Sequence, residues 1–154
     1  YAVLKDAYRT TVFALARRRN RHRPAGMLGP GGPVMPERII TKPPSAELKF
    51  NQTDQDTLPP YDVLDDILEG LIEREETVAE IVARGHDEAV VRAVWRMLDR
   101  AEYKRRQAPP GVKITRRAFG RDRRYPITNG FQDPGPLPGP EPGETPRAPT
   151  PQPC

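Results

Sequence analysis

The stretch EYKRRQAPPGVKITRRAFGRDRRYPITNGF, residues 102–131, decides how this chain is organised. It begins as the end of a predicted helix, and this helix breaks at the Pro-Pro-Gly of residues 109–111. The chain then continues as an extended, arginine-rich segment. Residues 104–124 contain nine Lys or Arg and one acid, Asp122. So dense a positive charge needs an anionic partner, either phosphate or an acidic surface of the same protein.

An acidic surface is available within the chain. Residues 54–80 contain ten acids and one base, Arg74, and basic stretches flank them on both sides, so the net charge is only +4. Two interpretations follow: the acidic and basic parts neutralise each other in the fold, or the chain is a small basic module that binds nucleic acid. Only Phe119 and Tyr125 lie among the arginines. Because single-stranded nucleic acid is bound largely by base stacking on aromatic rings, the pattern favours neutralisation.

Composition predicts one packed region and a tail. Of the 20 prolines, nine lie in residues 133–154, which are predicted to be disordered, and residues 17–36 are predicted to form an exposed Arg/Gly/Pro loop within the region 1–132. The one cysteine, Cys154, excludes an intrachain disulfide. No apolar run is long enough for a membrane span and no signal peptide is recognisable, so we expect a cytoplasmic protein.

Hydrophobic periodicity predicts a mainly helical structure. A first helix is predicted to be capped by Asp6, a second starts with the two prolines at residues 59–60 in its first positions, and a third opens with a Thr77–Glu80 capping box. Asp87 is expected to cap the longest helix. In the second helix the acids are expected to face away from the apolar stripe; they are Asp62, Asp65, Asp66 and Glu69.

Two short segments are predicted to be extended. ERIIT, residues 37–41, is rich in β-branched residues, and residues 112–115 alternate in polarity as a strand does. His22 and His86 are far apart in the sequence, so neither a histidine dyad nor a metal set is indicated. The chain does not begin with Met and its first residues already approach a helix. We therefore expect it to be part of a larger protein.

Three runs carry a resemblance to a known family. They are YAVLKDAYRTTVFALAR, PERIITKPPSAELKFNQTDQDTLPPYDVLDDILEG and EYKRRQAPPGVKITRRAFGRDRRYPITNGF. Together they closely resemble the C-terminal end of bacterial glutamine-dependent NAD(+) synthetases, over residues 1 to about 131. The loop of residues 17–34 resembles a variable insertion.

The resemblance implies a ligase that makes NAD from deamido-NAD. ATP adenylates the nicotinate carboxylate, and ammonia released from glutamine then displaces AMP. The implied fold class is a mainly α fragment of an α/β Rossmann-like ATP-pyrophosphatase domain, of the adenine nucleotide alpha hydrolase-like type. ATP and Mg²⁺ are the implied cofactors, although the ATP loop, the glutaminase residues and the metal ligands do not occur in this sequence. The implied partners are the remainder of the same enzyme and further copies in a homo-oligomer. A fragment of this kind is expected to be inactive alone.

The resemblance also implies four site residues. Arg9 corresponds to a family lysine that contacts ATP phosphate, and Ser45 to the Ser/Thr of a loop that reaches the ATP phosphates. Lys104 corresponds to a lysine that contacts deamido-NAD, with Tyr103 beside it. By position alone, Arg9 is a cation in a first turn, where it opposes the helix dipole; it is either a solvated arginine or a partner of something bound nearby. Lys104 is by position an ordinary base at a helix C-terminus. The arginine-rich segment after residue 110 is expected to cover an acidic surface of its own enzyme or a subunit contact.

Overall fold

The computed structural model describes residues 1–42 and 58–131. Six α-helices occur in these ranges: α1 (Arg9–Arg21), α2 (Glu37–Thr41), α3 (Tyr61–Glu69), α4 (Val78–Ala83), α5 (Glu88–Arg100) and α6 (Glu102–Gln107). A π-helical segment, Gly70–Arg74, continues α3. The predicted helical class is therefore confirmed for the described residues. No helix among them is long and apolar enough to cross a bilayer.

The hydrophobic core lies between α3, α4 and α5. Its buried members are Ile67, Val78, Ile81, Val91 and Val94. Partly buried apolar side chains from the same helices and from the π-helical segment, Trp95 and Leu71 among them, pack around this cluster. The helix α1 packs on α3 and α2, and α6 packs on α5.

The predicted starts of α3, α4 and α5 are confirmed. Two prolines precede Tyr61, where α3 begins. Thr77 and Glu80 form the predicted capping box, in which each side chain bonds to the other residue's backbone N–H. The Asp87 carboxylate accepts a hydrogen bond from the Val90 backbone at 3.0 Å and so caps α5. These signals succeed because each depends only on residues within one turn.

The first helix differs from its prediction at both ends. It begins at Arg9 after Tyr8, and Asp6 does not cap it. At its other end α1 continues to Arg21, so residues 17–21 belong to the helix and not to the predicted loop. Arginine is a good helix former, and cations in a last turn interact favourably with the helix dipole.

The loop that follows α1 is held by side chains of the last turns of α1 and its exit. Arg19 donates to the carbonyls of Pro30 and Gly32, and Arg23 donates to that of Gly29. Asn20 donates to the carbonyl of Met35, and its own amide oxygen accepts from two backbone N–H groups. Arg19 and Arg23 therefore bond to this loop's own backbone.

Both predicted extended segments are wrong. ERIIT forms α2, in which Ile40 is buried and the Thr41 hydroxyl donates to the carbonyl of Glu37. Pro36 precedes this turn and an acid lies in its first turn, and these features together with packing on α1 override the β-branched preference. Residues 112–115 form no strand, because the backbone donors of Ile114 and Thr115 bond to a carboxylate instead of to a neighbouring strand. A single parallel bridge between Ala2 and Gly111 is the β pairing in the described residues.

Candidate functional site

Arg9 lies in the first turn of α1 and is exposed. Its guanidinium carbon lies 5.2 Å from the centroid of the Tyr61 ring and 6.0 Å from that of Phe13. It borders a cavity of about 200 Å³, whose other walls include Lys5, Tyr8, Asp65, Thr115 and Phe119. The aromatic contacts fix the direction of a side chain whose planar head presents several donors.

An acid from another helix caps the start of α1. Asp65 of α3 is only 8% exposed, and its Oδ2 accepts the backbone N–H of Thr10 at 2.8 Å. The expectation that Asp65 faces away from the packed side of α3 is therefore wrong. Its position four residues after Tyr61 and three before Leu68 places it on their face, and this spacing was the signal that could have found it. The carboxylate balances the positive end of the helix dipole next to Arg9.

Tyr8, immediately before α1, faces the acidic side of α3. Burial, followed by a hydrogen bond to the Glu73 carboxylate, raises the pKa of Tyr8 above its ordinary value. Its hydroxyl therefore stays protonated, with its single proton directed to Glu73. It adds a second fixed polar group to the wall of the cavity that Arg9 borders.

Asp6 is the anchor of the arginine-rich segment. Its Oδ2 accepts from the backbone N–H groups of Ile114 and Thr115, both at 2.8 Å, and from the Thr115 hydroxyl at 2.7 Å. Its Oδ1 accepts from the backbone N–H of Phe119 at 3.0 Å. Burial raises the pKa of Asp6, but these hydrogen bonds outweigh that effect and hold the pKa below its ordinary value. This role of Asp6 could not be predicted from local sequence, because its hydrogen-bond donors lie more than 100 positions away.

The residues beside Asp6 tie the same two parts of the chain together. The Ala2 backbone N–H donates to the carbonyl of Pro110 at 3.0 Å, and the Lys5 ammonium donates to that of Pro109 at 2.9 Å. At Gly111 an added Cβ would lie 2.4 Å from the carbonyl oxygen of Ala2, so only glycine allows this approach. Residues 1–6 and 109–119 therefore form one hydrogen-bonded unit.

Tyr103 and Lys104 lie on the exposed side of α6. Tyr103 is 44% exposed, and the Lys104 ammonium lies 6.0 Å from the centroid of its ring. The structure thus places the two residues together, as expected for neighbours in a helix. Arg9 lies apart from them in the packing, because α1 packs chiefly on α3 and α2 while α6 packs on α5. Ser45 lies outside the described residues.

The opposite side of α6 is held by a buried ion pair. Arg105, 6% exposed, donates to Glu102 Oε2 at 2.5 Å and to the carbonyl of Leu98 at 2.6 Å. Its guanidinium carbon lies 5.2 Å from the centroid of the Phe119 ring. Burial raises the pKa of Glu102, but the hydrogen bonds from Arg105 and Arg106 outweigh it and keep the pKa below its ordinary value. This buried ion pair therefore holds α6 in place on the side opposite to Lys104.

Several cations of the arginine-rich segment pair with acids of the same chain. Arg117 makes a two-pronged ion pair with Glu75, which belongs to the acidic stretch. Lys113 bonds to Asp122 at 2.5 Å, and the Arg123 guanidinium lies 3.6 Å from the Asp99 carboxylate. The prediction that the acidic stretch and the basic segment partly neutralise each other is confirmed at the Arg117–Glu75 contact.

A second polar cluster surrounds Asp66. Its carboxylate forms an ion pair with Arg84 and lies 2.5 Å from His86 Nε2. Burial raises the pKa of Asp66, but the hydrogen bonds from His86 and Arg84 outweigh it and lower the pKa. Asp65 and Asp66 thus point toward different partners. Within residues 1–42 and 58–131, no group of three or more His, Cys, Asp or Glu side chains is arranged to hold a metal ion.

Comparison with known proteins identifies the family. Residues 1–108 match the family model described as NAD synthase. The chain is 54% identical over 131 residues to the glutamine-dependent NAD(+) synthetase of Xanthomonas campestris pv. campestris (strain 8004). It is 52% identical over 132 residues to that of Acinetobacter baylyi (strain ATCC 33305 / BD413 / ADP1). These matches cover 85% and 86% of this chain.

The chain belongs to the NAD synthase family, and the resemblance drawn from the sequence is confirmed. It spans only 22% and 23% of the length of these two relatives. A solved structure, glutamine-dependent NAD+ synthetase from Acinetobacter baumannii in complex with adenosine diphosphate, is 47% identical, and the match covers 86% of this chain and 21% of that one with a TM-score of 0.47. The nucleic-acid alternative receives no support from these comparisons.

Proposed function

We propose that this chain is the C-terminal part of the synthetase domain of a glutamine-dependent NAD(+) synthetase. The observation that carries the proposal is an identity of 54% over 85% of the chain to a protein of that name. In the proposed reaction a carboxylate oxygen of deamido-NAD attacks the α-phosphorus of ATP and pyrophosphate leaves. Ammonia derived from glutamine then attacks the acyl carbon and AMP leaves, which yields NAD.

The described helices would form the C-terminal end of a Rossmann-like α/β domain of the ATP-pyrophosphatase type. The sheet of such a domain would come from the rest of the polypeptide. ATP with Mg²⁺, deamido-NAD and ammonia would be its ligands, in a cytoplasmic homo-oligomer. The metal would be held by residues outside this chain.

Arg9 and Ser45 are proposed to contact the ATP phosphates. Three features support this role for Arg9: its exposed position in the first turn of α1, the two aromatic rings that orient its guanidinium, and the cavity beside it. Negative charge accumulates on the phosphates and on pyrophosphate as it leaves. A fixed cation stabilises that charge more in the transition state than in the bound substrate.

Lys104 and Tyr103 are proposed to contact deamido-NAD. Both side chains are exposed, while the next residue, Arg105, is buried in an ion pair that fixes the helix. A cation on a rigid support loses little freedom when it binds an anionic group, which favours a role in binding.

The test is steady-state kinetics of the full-length synthetase that carries this chain, with NAD formation from deamido-NAD, ATP and Mg²⁺ as the signal. Lys104→Ala is expected to raise KM for deamido-NAD about 10- to 100-fold, the usual effect of losing a hydrogen bond to a charged group, and to change KM for ATP little. Arg9→Ala is expected to raise KM for ATP and to change KM for deamido-NAD little. Arg96→Ala, at an exposed cation of α5, serves as the matched control.

Two negative results have different meanings. No NAD formation by the wild-type protein, with either glutamine or ammonia as nitrogen donor, would refute the proposed function. NAD formation with unchanged KM values in both variants would refute only the residue assignments.

A further inference from the structure

The arginine-rich segment contacts α6 at two places: the backbone carbonyl of Tyr125 accepts a hydrogen bond from Arg106 at 2.8 Å, and the Phe119 ring lies under Arg105. The Phe119 ring lies against the guanidinium of Arg105, the residue that directly follows Lys104. The backbone N–H of Phe119 is bonded to Asp6, so the ring is held at one end by the first residues of the chain. A continuous set of contacts therefore runs from Asp6 through Phe119 to α6.

Arg105 depends on this ring for its orientation. Its two terminal nitrogens bond to Leu98 and Glu102, whereas its Nε is buried and makes no hydrogen bond within the described residues. The ring contact is thus a further constraint on the plane of the guanidinium. Rotation of that plane would weaken the bonds to Leu98 and Glu102 and loosen the turn of α6 that carries Lys104.

We propose that Phe119 is a positioning residue. Acting through Arg105, it holds Lys104 where Lys104 can bind deamido-NAD. This inference rests on the proposed function and extends it, since it assigns the arginine-rich segment a part in substrate binding. Two cations of this segment, Lys113 and Arg117, are already paired with acids. The arginine-rich segment contributes by holding α6 in place from the side opposite to the proposed substrate.

The kinetic consequence is selective. Loss of the ring contact is expected to raise KM for deamido-NAD about 2- to 30-fold, the range that a cation–π contact accounts for. KM for ATP is expected to stay at the wild-type value. A merely structural role would lower the amount of active enzyme and reduce kcat without separating the two KM values.

The experiment compares Phe119→Leu, Phe119→Tyr and Phe131→Leu in the full-length synthetase. The leucine at position 119 should raise KM for deamido-NAD, and the tyrosine, which keeps a ring, should restore it. Phe131 is 66% exposed, so the same change there is the matched control and should have no effect. If Phe119→Leu does not fold, Phe119→Met, whose flexible unbranched side chain adapts to the space of the ring, gives the same comparison.

Unchanged KM for deamido-NAD in Phe119→Leu would overturn the inference, as would equal rises in both KM values or a defect that tyrosine does not restore. Lys104→Ala distinguishes this failure from that of the proposed function. If Lys104→Ala raises KM for deamido-NAD and Phe119→Leu does not, only the positioning role is wrong. If neither does, the assignment of Lys104 is wrong as well.

Discussion

Replacing Asp6 by asparagine tests the anchor of the arginine-rich segment most directly. The substitution keeps the shape of the side chain but turns one acceptor oxygen into an NH₂ donor. The least damaging orientation keeps oxygen toward Ile114 and Thr115 and places the NH₂ against the backbone N–H of Phe119. One hydrogen bond is then lost, and the remaining bonds lose their charged acceptor. We expect a cost of about 2–3 kcal/mol in the local opening free energy, since bonds to charged groups contribute about 1.5–3 kcal/mol each.

Amide hydrogen exchange followed by mass spectrometry measures this locally in the full-length protein. Peptides that cover residues 112–120 should exchange about 30- to 160-fold faster in Asp6→Asn than in the wild type at pH 7. Asp62→Asn makes the same chemical change at an exposed acid of α3 and should leave these peptides unchanged.

The pH dependence has a definite sign. Because the pKa of Asp6 is lowered in the folded protein, its stabilising contribution is complete above the unfolded value of about 3.9 and is lost as pH falls through the folded value. The difference between wild type and Asp6→Asn should therefore be constant from about pH 5 to 8 and shrink below about pH 4. Equal exchange in Asp6→Asn and Asp62→Asn at pH 7, or a difference that grows in acid, would refute the reasoning.

Two further substitutions probe neighbouring contacts by the same exchange measurement. Gly111→Ala should cost about 1–3 kcal/mol through overpacking against the first residues of the chain, while Gly130→Ala, where nothing lies within 4 Å, should cost almost nothing. Equal effects at the two glycines would contradict the close approach. Glu102→Ala should cost about 3–5 kcal/mol in α6, because it leaves Arg105 buried without its partner. Glu88→Ala, which breaks a more exposed pair in α5, should cost under about 1 kcal/mol, and a similar loss from both would count against the buried pair.

Local signals in the sequence predicted the helices that carry the core. The capping box at Thr77 and the cap at Asp87 each concern a few neighbouring residues, and both were correct. The apolar spacing of α3 and α5 likewise places Ile67 and Val94 on the inward faces of these helices, where the structure has them. Such features need no knowledge of the rest of the fold.

Contacts between distant parts of the chain could not be predicted from such local signals. Aspartate commonly caps helices, but the Asp6 carboxylate instead accepts hydrogen bonds from backbone N–H groups within residues 114–119. Asp65 was assigned to the outer face of α3, whereas α1 supplies it with a backbone partner. For the candidate site, the roles of Arg9, Tyr103 and Lys104 came from the family resemblance, since position alone gave none of them a specific ligand. The structure adds Asp6 and Phe119, which only tertiary contacts reveal.

The loop after α1 is tied to the helix at a few defined points. Its backbone is held by Arg19 and Asn20 in the last turn of α1 and by Arg23 just beyond the helix, and the carbonyls that they bond to all lie between residues 29 and 35. Insertions or deletions within residues 24–28 would leave every one of these fastenings in place. Because the entropic cost of closing a loop grows only slowly with its length, evolution can lengthen or shorten this segment with little penalty to the helices beneath it.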